Sequence, residues 1–308
     1  MQRFLGVDLG GTNIKFVLIE VTGQKLHELQ KDQISTEAKE GPDHVTNRIA
    51  NLISEINNET PLDGVAVAVP GIFDHENGEI LLFPNLPGNW EKYPFSEKLR
   101  SATKLNISLI NDARAFCLAE STIGAGRGHR FIACIVLGTG VGGGLVIDGK
   151  IHEGATRGAG EIAHQVVAPD GPLCGCGTRG CVESLTSSAA ISAMAKTSSP
   201  EEAYERAKVG DVDALNAFRT AGKWLGIALA NVNAVFSPEV FVVGGGVAQA
   251  GDLLLDFIRE ELHERNHLWP NSVFKLVPAQ LSFSAGATGA ALKAAEVAGT
   301  QLSFTSIT

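Results

Sequence analysis

Apolar residues in the first third of the chain fall into strand-length runs broken by glycine. Phe4 to Val7 and Phe16 to Val21 are separated by a turn at Gly10-Gly11, and Gly23 leads into a third strand before Thr36. That pattern predicts an antiparallel meander. Between Asp43 and Ile56 the period changes: Val45, Ile49, Leu52, Ile53 and Ile56 recur three and four apart, which puts them on one face of a helix. A buried strand, Val65 to Val69, stops at Pro70-Gly71. Beyond the loop PNLPGNW (84–90) and a short helix near Phe95 to Ala102, the strand Ile107 to Ile110 runs directly into Asn111-Asp112 and a further helix.

The opening pattern then returns. Phe131 to Leu137 reads as a strand, Gly138-Thr139-Gly140 as a turn, Gly144 to Ile147 as the return strand, and Asp148-Gly149 as the hairpin to Lys150-Ile151. A long helix follows from about Asp211 to Val235, with Leu215, Phe218, Leu225, Leu229 and Val232 on its apolar side. The strand Val240 to Val243 ends in Gly244-Gly245-Gly246. A helix from about Ala248 to His263, a strand near Lys275 to Val277 and an alanine-rich helix from Ala285 to Ala298 complete the pattern. Both halves begin strand, glycine-threonine turn, strand, turn, strand. The reading is an α/β protein of two duplicated domains, with the chemistry expected in the interdomain cleft. Residues 1–113 with 286–308 are expected to form the smaller domain and 114–285 the larger.

Composition narrows the class. With 44% hydrophobic and 19% charged residues among 308, the chain can bury a substantial core. It contains no uninterrupted apolar run of membrane-spanning length, and its start carries no basic or cleavable leader, so a cytoplasmic protein without membrane partners is expected. The net charge of −9 and the lack of a basic run argue against nucleic acid as a partner.

The chemistry concentrates in a few places. In LGVDLGGTNIK (5–15), Gly10 and Gly11 are expected to take positive φ and bring amide N–H groups to an anion, with Thr12 adding a hydroxyl. Asp8 at the strand end is placed to hold Mg²⁺ through water. Alone, this is equally a hairpin turn. The second turn, LGTGVGGG (137–144), puts Gly138, Thr139 and Gly140 at the same place in the second half, so two donor-rich turns could serve one polyphosphate. Gly244, Gly245 and Gly246, between strand and helix, would let a nucleotide lie against the backbone or simply make a tight turn. Asp112 at a strand's carboxyl end suits a base for phosphoryl transfer to an alcohol, with Asn111 orienting the hydroxyl; it could instead be the N-cap of the helix behind it.

Five cysteines occur, and Cys174, Cys176 and Cys181 crowd together downstream of His164. Three thiolates and an imidazole make a closed set suited to structural Zn²⁺. Glu161 and Glu183, beside those ligands, would be held rigidly and could accept hydrogen bonds from vicinal sugar hydroxyls. The remaining histidines are scattered and read as surface or structural.

DLGGT, PG at 70–71, NDA, LGTGVGGG, GEIAH followed by CxCGxxGCxE, and GGG, in this order along nearly the whole chain, resemble the ROK family of bacterial sugar kinases. The resemblance implies the actin-like, ribonuclease-H-like ATPase fold, ATP with Mg²⁺, a homodimer or dimer of dimers, and a hexokinase reaction in carbohydrate metabolism, with glucose phosphorylated at O6 the favoured case. It makes Asp112 the base and a sugar contact. Gly71, Asn85, Asn111, Glu161, His164 and Glu183 become sugar contacts, and Lys15 joins the ATP turn. His164, Cys174, Cys176 and Cys181 become the zinc ligands, in an insertion of about 158–184. Three positions depart from the family's usual residues: Ala163 for glycine, Arg114 for asparagine, and Asn89 inserted before Trp90. N-acetylglucosamine, N-acetylmannosamine, mannose and fructose remain alternative acceptors, polyphosphate an alternative donor, and a sugar-binding regulator without catalysis the rival from another class. The family's repressors carry a helix-turn-helix ahead of the glycine turn, a region not expected here.

Overall fold

The computed structural model describes residues 1–84, 86–268 and 275–308, except for the side chain of Ser282. Its strands are β1 (Gln2–Leu9), β2 (Asn13–Thr22), β3 (Lys25–Ser35), β4 (Gly64–Val69), β5 (Ile72–Phe73), β6 (Ile80–Leu82), β7 (Ile107–Asn111), β8 (Phe131–Leu137), β9 (Val141–Ile147), β10 (Lys150–Ile151), β11 (Val240–Gly244), β12 (Lys275–Pro278) and β13 (Ser306–Ile307). Its α-helices are α1 (Pro42–Glu59), α2 (Phe95–Thr103), α3 (Asp112–Thr122), α4 (Val182–Thr186), α5 (Ser188–Ala195), α6 (Pro200–Lys208), α7 (Val212–Phe236), α8 (Asp252–Arg265) and α9 (Ala285–Val297). Two compact units result, Met1–Ile123 with Phe283–Thr308, and Gly124–Ser282.

In the first unit the sheet order is β13-β3-β2-β1-β4-β7. β1 runs antiparallel to β2 and parallel to β4, which is parallel to β7. The apolar face of α1, with Val45, Ile49 and Ile53 fully buried, shares a core with Leu5, Val7, Val65, Val67 and Phe95. The helix starts where the sequence dictates: Pro42 supplies the first-turn residue that needs no N–H partner. The alanine-rich α9 lies directly on β1, so close that a Cβ on Gly6 would stand 1.9 Å from Ala287 O. Larger residues on that helix would hold the two backbones apart. α3 also packs on α9. For this reason the boundary expected between 113 and 114 does not hold: it would cut α3, which stays whole in the first unit.

The second unit repeats the plan with sheet order β10-β9-β8-β11-β12. β8 is antiparallel to β9 and parallel to β11, which is parallel to β12. Strand for strand, this matches β3-β2-β1-β4-β7. Asp148 (φ 51°) and Gly149 (φ 75°) close the β9–β10 hairpin with two left-handed residues, the backbone such tight turns require. α7 buries Phe218, Leu225, Leu229 and Val232 and packs on α8. The helix expected from Ala248 is broken: a 3₁₀ turn, Val247–Ala250, precedes α8, with Gly251 at φ 59° between them. Among the described residues no helix is long and apolar enough to cross a membrane.

Candidate active site

The first glycine turn links β1 to β2. Neither Gly10 nor Gly11 adopts the left-handed backbone expected of them. Gly10 is instead required by space, because a Cβ there would stand 2.8 Å from Asn13 O, the acceptor of its own N–H at 3.1 Å. Gly11 and Thr12 are exposed at the tip. Asp8, one residue before the end of β1, is paired across the ladder with Lys15. Burial pushes its carboxyl up to about 6, against the opposing pull of the Lys15 charge. A Cβ on Gly286, at the start of α9, would stand 2.5 Å from Asp8 Oδ2, so the carboxylate occupies space that only glycine leaves free. Lys15 Nζ stands 4.0 Å from the centroid of the Phe283 ring, above a depression of about 270 Å³ also lined by Lys31, Gln33 and Ser284.

At the β7–α3 junction the N-cap is Asn111, whose Oδ1 accepts the Arg114 N–H at 3.2 Å. The capping alternative raised for Asp112 therefore falls to its neighbour. Asn111 Nδ2 donates to Gly71 O at 3.3 Å, joining the Pro-Gly step after β4 to the carboxyl end of β7. Asp112 is half-buried at the first helical position, and its Oδ1 accepts the Ala113 N–H at 2.8 Å. Gly71 (φ 125°) leaves room for Leu82 O, 2.1 Å from where a Cβ would be. Asn85 lies outside the described residues. The inserted Asn89 is exposed while Trp90 is buried, with its Nε1–H on Pro87 O at 3.0 Å.

In the second unit the turn between β8 and β9 closes through Gly138 N–H on Gly140 O at 2.9 Å. Glu183, in α4, reaches it: Oε2 accepts the Val141 N–H at 3.1 Å, and a Cβ on Gly140 would stand 2.9 Å from that oxygen. Its other oxygen, Oε1, lies 3.3 Å from Cys174 Sγ. Behind it, the donor atoms of His164, Cys174, Cys176 and Cys181 all lie within 4.8 Å of one another. Cys174 Sγ is 3.8 Å from His164 Nδ1, and Cys176 Sγ is 3.6 Å from Cys181 Sγ. Four donors around zinc at about 2.0–2.3 Å stand roughly 3.5–3.8 Å apart, so the residues fit the ion. The Cys176 thiol is held down at about 7, first by the Thr178 backbone, whereas burial pushes Cys174 up to about 12. Nδ1 is the imidazole atom that faces the Cys174 thiol. Glu161 is exposed and carries the 3₁₀ turn that presents His164.

Gly244, Gly245 and Gly246 divide their work. Gly245 (φ 90°) sits where a Cβ would be 2.2 Å from Leu137 O, a requirement of the turn itself. A Cβ on Gly246 would meet nothing within 4 Å, so that side of the turn is open.

The sequence profile of the ROK family matches residues 4–297. The chain belongs to the ROK family. A glucokinase from Thermotoga maritima is 35% identical over 310 residues, covering 94% of this chain and 96% of that protein. In structure the chain is similar to a ROK family glucokinase from Streptomyces griseus in complex with glucose and AMPPNP, with a TM-score of 0.81 and 30% identity over 96% of this chain and 99% of that one. It is also similar to the ROK hexokinase from Thermus thermophilus, with a TM-score of 0.83 and 32% identity over 97% and 99%. The fold is the duplicated actin-like ATPase fold of ROK kinases.

Within each unit the residues singled out by their ROK motifs converge. Asp8, Gly10, Gly11 and Thr12 share one turn, Asn111 binds Gly71 beside Asp112, and Glu183 joins Gly140 to the cysteine knuckle. Two residues that touch the turns carried no motif. Thr36 Oγ1 donates to Gly10 O at 2.7 Å, and Ser188 Oγ donates to Gly138 O at 2.8 Å.

Proposed function

We propose that this chain is an ATP-dependent glucokinase that transfers the γ-phosphate of ATP to O6 of glucose. The observation that carries the reading is the Asn111-Asp112 junction. There a half-buried carboxylate stands next to the helix N-cap Asn111, at the carboxyl end of a parallel strand in a ROK chain 35% identical to a glucokinase over 94% of its length. Asp112 accepts the proton of the 6-hydroxyl as its oxygen bonds to the γ-phosphorus. The bond from that phosphorus to the β,γ-bridging oxygen breaks, and ADP leaves with the electron pair.

The amide groups of the two glycine turns bind the ATP phosphates, and Lys15 adds a cation. The open side of Gly246 accommodates the nucleoside. Asp8 would hold Mg²⁺, which would supply neutralisation of phosphate charge. Gly71, Asn85, Asn111, Glu161, His164 and Glu183 orient the sugar. His164, Cys174, Cys176 and Cys181 would hold a structural zinc, which would serve to fix Glu183 and the His164 ring. Following the family resemblance, the enzyme acts in the cytoplasm as a homodimer or dimer of dimers.

The test is ADP release with ATP and Mg²⁺ across glucose, mannose, fructose, N-acetylglucosamine and N-acetylmannosamine, with polyphosphate as a second donor. The highest kcat/KM is expected for glucose with ATP. Saturable sugar binding with turnover on no acceptor would instead indicate a regulator.

A further inference from the structure

In both glycine turns a hydroxyl residue donates to the carbonyl of the corresponding glycine. Thr36, fully buried just beyond β3, donates its Oγ1–H to Gly10 O at 2.7 Å and its N–H to Thr12 O at 2.8 Å. Ser188, the first residue of α5, donates both its Oγ–H, at 2.8 Å, and its N–H, at 2.9 Å, to Gly138 O. Gly10 and Gly138 hold the same place in the two halves, each following the last residue of the first meander strand. Yet the clamps come from different elements, at separations of 26 and 50 residues.

The peptide plane explains what such a clamp does. In a trans peptide the C=O of one residue and the N–H of the next point in opposite directions. Holding Gly10 O therefore aims the Gly11 N–H away from Thr36, and holding Gly138 O aims the Thr139 N–H away from Ser188. Among the described residues neither the Gly11 nor the Thr139 N–H donates to a protein acceptor. A glycine-flanked peptide is otherwise free to rotate, and rotation would turn a carbonyl oxygen toward an incoming anion.

We infer that Thr36 and Ser188 are positioning residues that lock the two turns with their N–H groups toward the ATP phosphates. This rests on the proposed binding of ATP phosphates by these turns. Neither hydroxyl touches substrate; each acts through the peptide it holds. Thr36→Val keeps the β-branch and the backbone bond and removes only the hydroxyl donor. Ser188→Ala keeps the helix N–H bond and removes only Oγ.

The experiment measures Mg²⁺–AMPPNP affinity by calorimetry, kcat and KM for ATP with saturating glucose, glucose affinity, and melting temperature for wild type, Thr36→Val, Thr36→Ser, Ser188→Ala and Ser188→Thr. Each hydroxyl deletion is expected to weaken AMPPNP binding and lower kcat/KM for ATP by about 10-fold, the usual scale of one well-placed hydrogen bond, with glucose affinity within twofold of wild type. Thr36→Ser and Ser188→Thr are expected to restore most of the loss. Folded deletion variants with unchanged nucleotide affinity, or equal losses for glucose and nucleotide that the conservative variants do not rescue, would overturn the inference. If Thr36→Val does not fold, Ser188→Ala decides. Wild type that binds AMPPNP but phosphorylates no sugar would sink the kinase reading while leaving the clamps measurable through nucleotide affinity.

Discussion

Glu183 accepts the backbone N–H of Val141 at 3.1 Å, and this bond connects the cysteine knuckle to the second glycine turn. The same carboxylate lies 3.3 Å from Cys174 Sγ, so the proposed sugar acid, the proposed zinc ligand and the proposed phosphate turn meet in one side chain.

Glu183→Gln and Glu183→Ala should therefore part company. Glutamine can still accept the Val141 N–H but loses the charge, so glucose KM is expected to rise about 10-fold with KM for ATP within about twofold. Alanine loses both interactions, and KM for ATP should rise as well. Steady-state kinetics in both substrates separates the two outcomes.

Removing a knuckle ligand should act at a distance. Cys176→Ser is expected to lose its zinc, read by elemental analysis as well under one ion per chain, and to weaken glucose binding by about 10-fold through displacement of Glu183 and His164. A variant that retains one zinc per chain would break that link.

Asp8 predicts opposite effects on stability and activity. Its folded carboxyl, raised by burial from 3.8 to about 6, holds a proton more tightly than the unfolded chain does. Its contribution to stability is therefore present at acid pH and lost as pH rises from about 4 through 6. At pH 7.5 the ionised group is a cost, so Asp8→Asn should raise the melting temperature while lowering activity. In wild type, the apparent Mg²⁺ affinity in turnover should fall as pH drops through about 6, when Asp8 becomes neutral. A pH-independent Mg²⁺ requirement between 5 and 8 would contradict the assignment.

Much of this arrangement is legible in the sequence because its signals are local. The meander strands are bounded by glycine turns, α1 declares itself by the spacing of Val45, Ile49, Leu52, Ile53 and Ile56, and the three cysteines lie within one short segment. What escaped notice depends on contacts between distant segments. The place of α3 in the first unit depends on α9, at the other end of the chain. Thr36 and Ser188 find their carbonyls only after the sheets have formed. Gly10 is dictated by the distance to Asn13 O, a tertiary dimension of the turn that composition does not reveal.

The most direct test of the account compares wild type with Asp112→Asn, following glucose 6-phosphate formation enzymatically alongside glucose and AMPPNP affinity. Wild type should form glucose 6-phosphate in step with ADP. The variant should bind both ligands normally, keep its zinc, and turn over at least roughly 10²-fold more slowly. A variant with near-wild-type kcat would remove Asp112 from the chemistry, and a wild type that forms no glucose 6-phosphate would contradict the account as a whole.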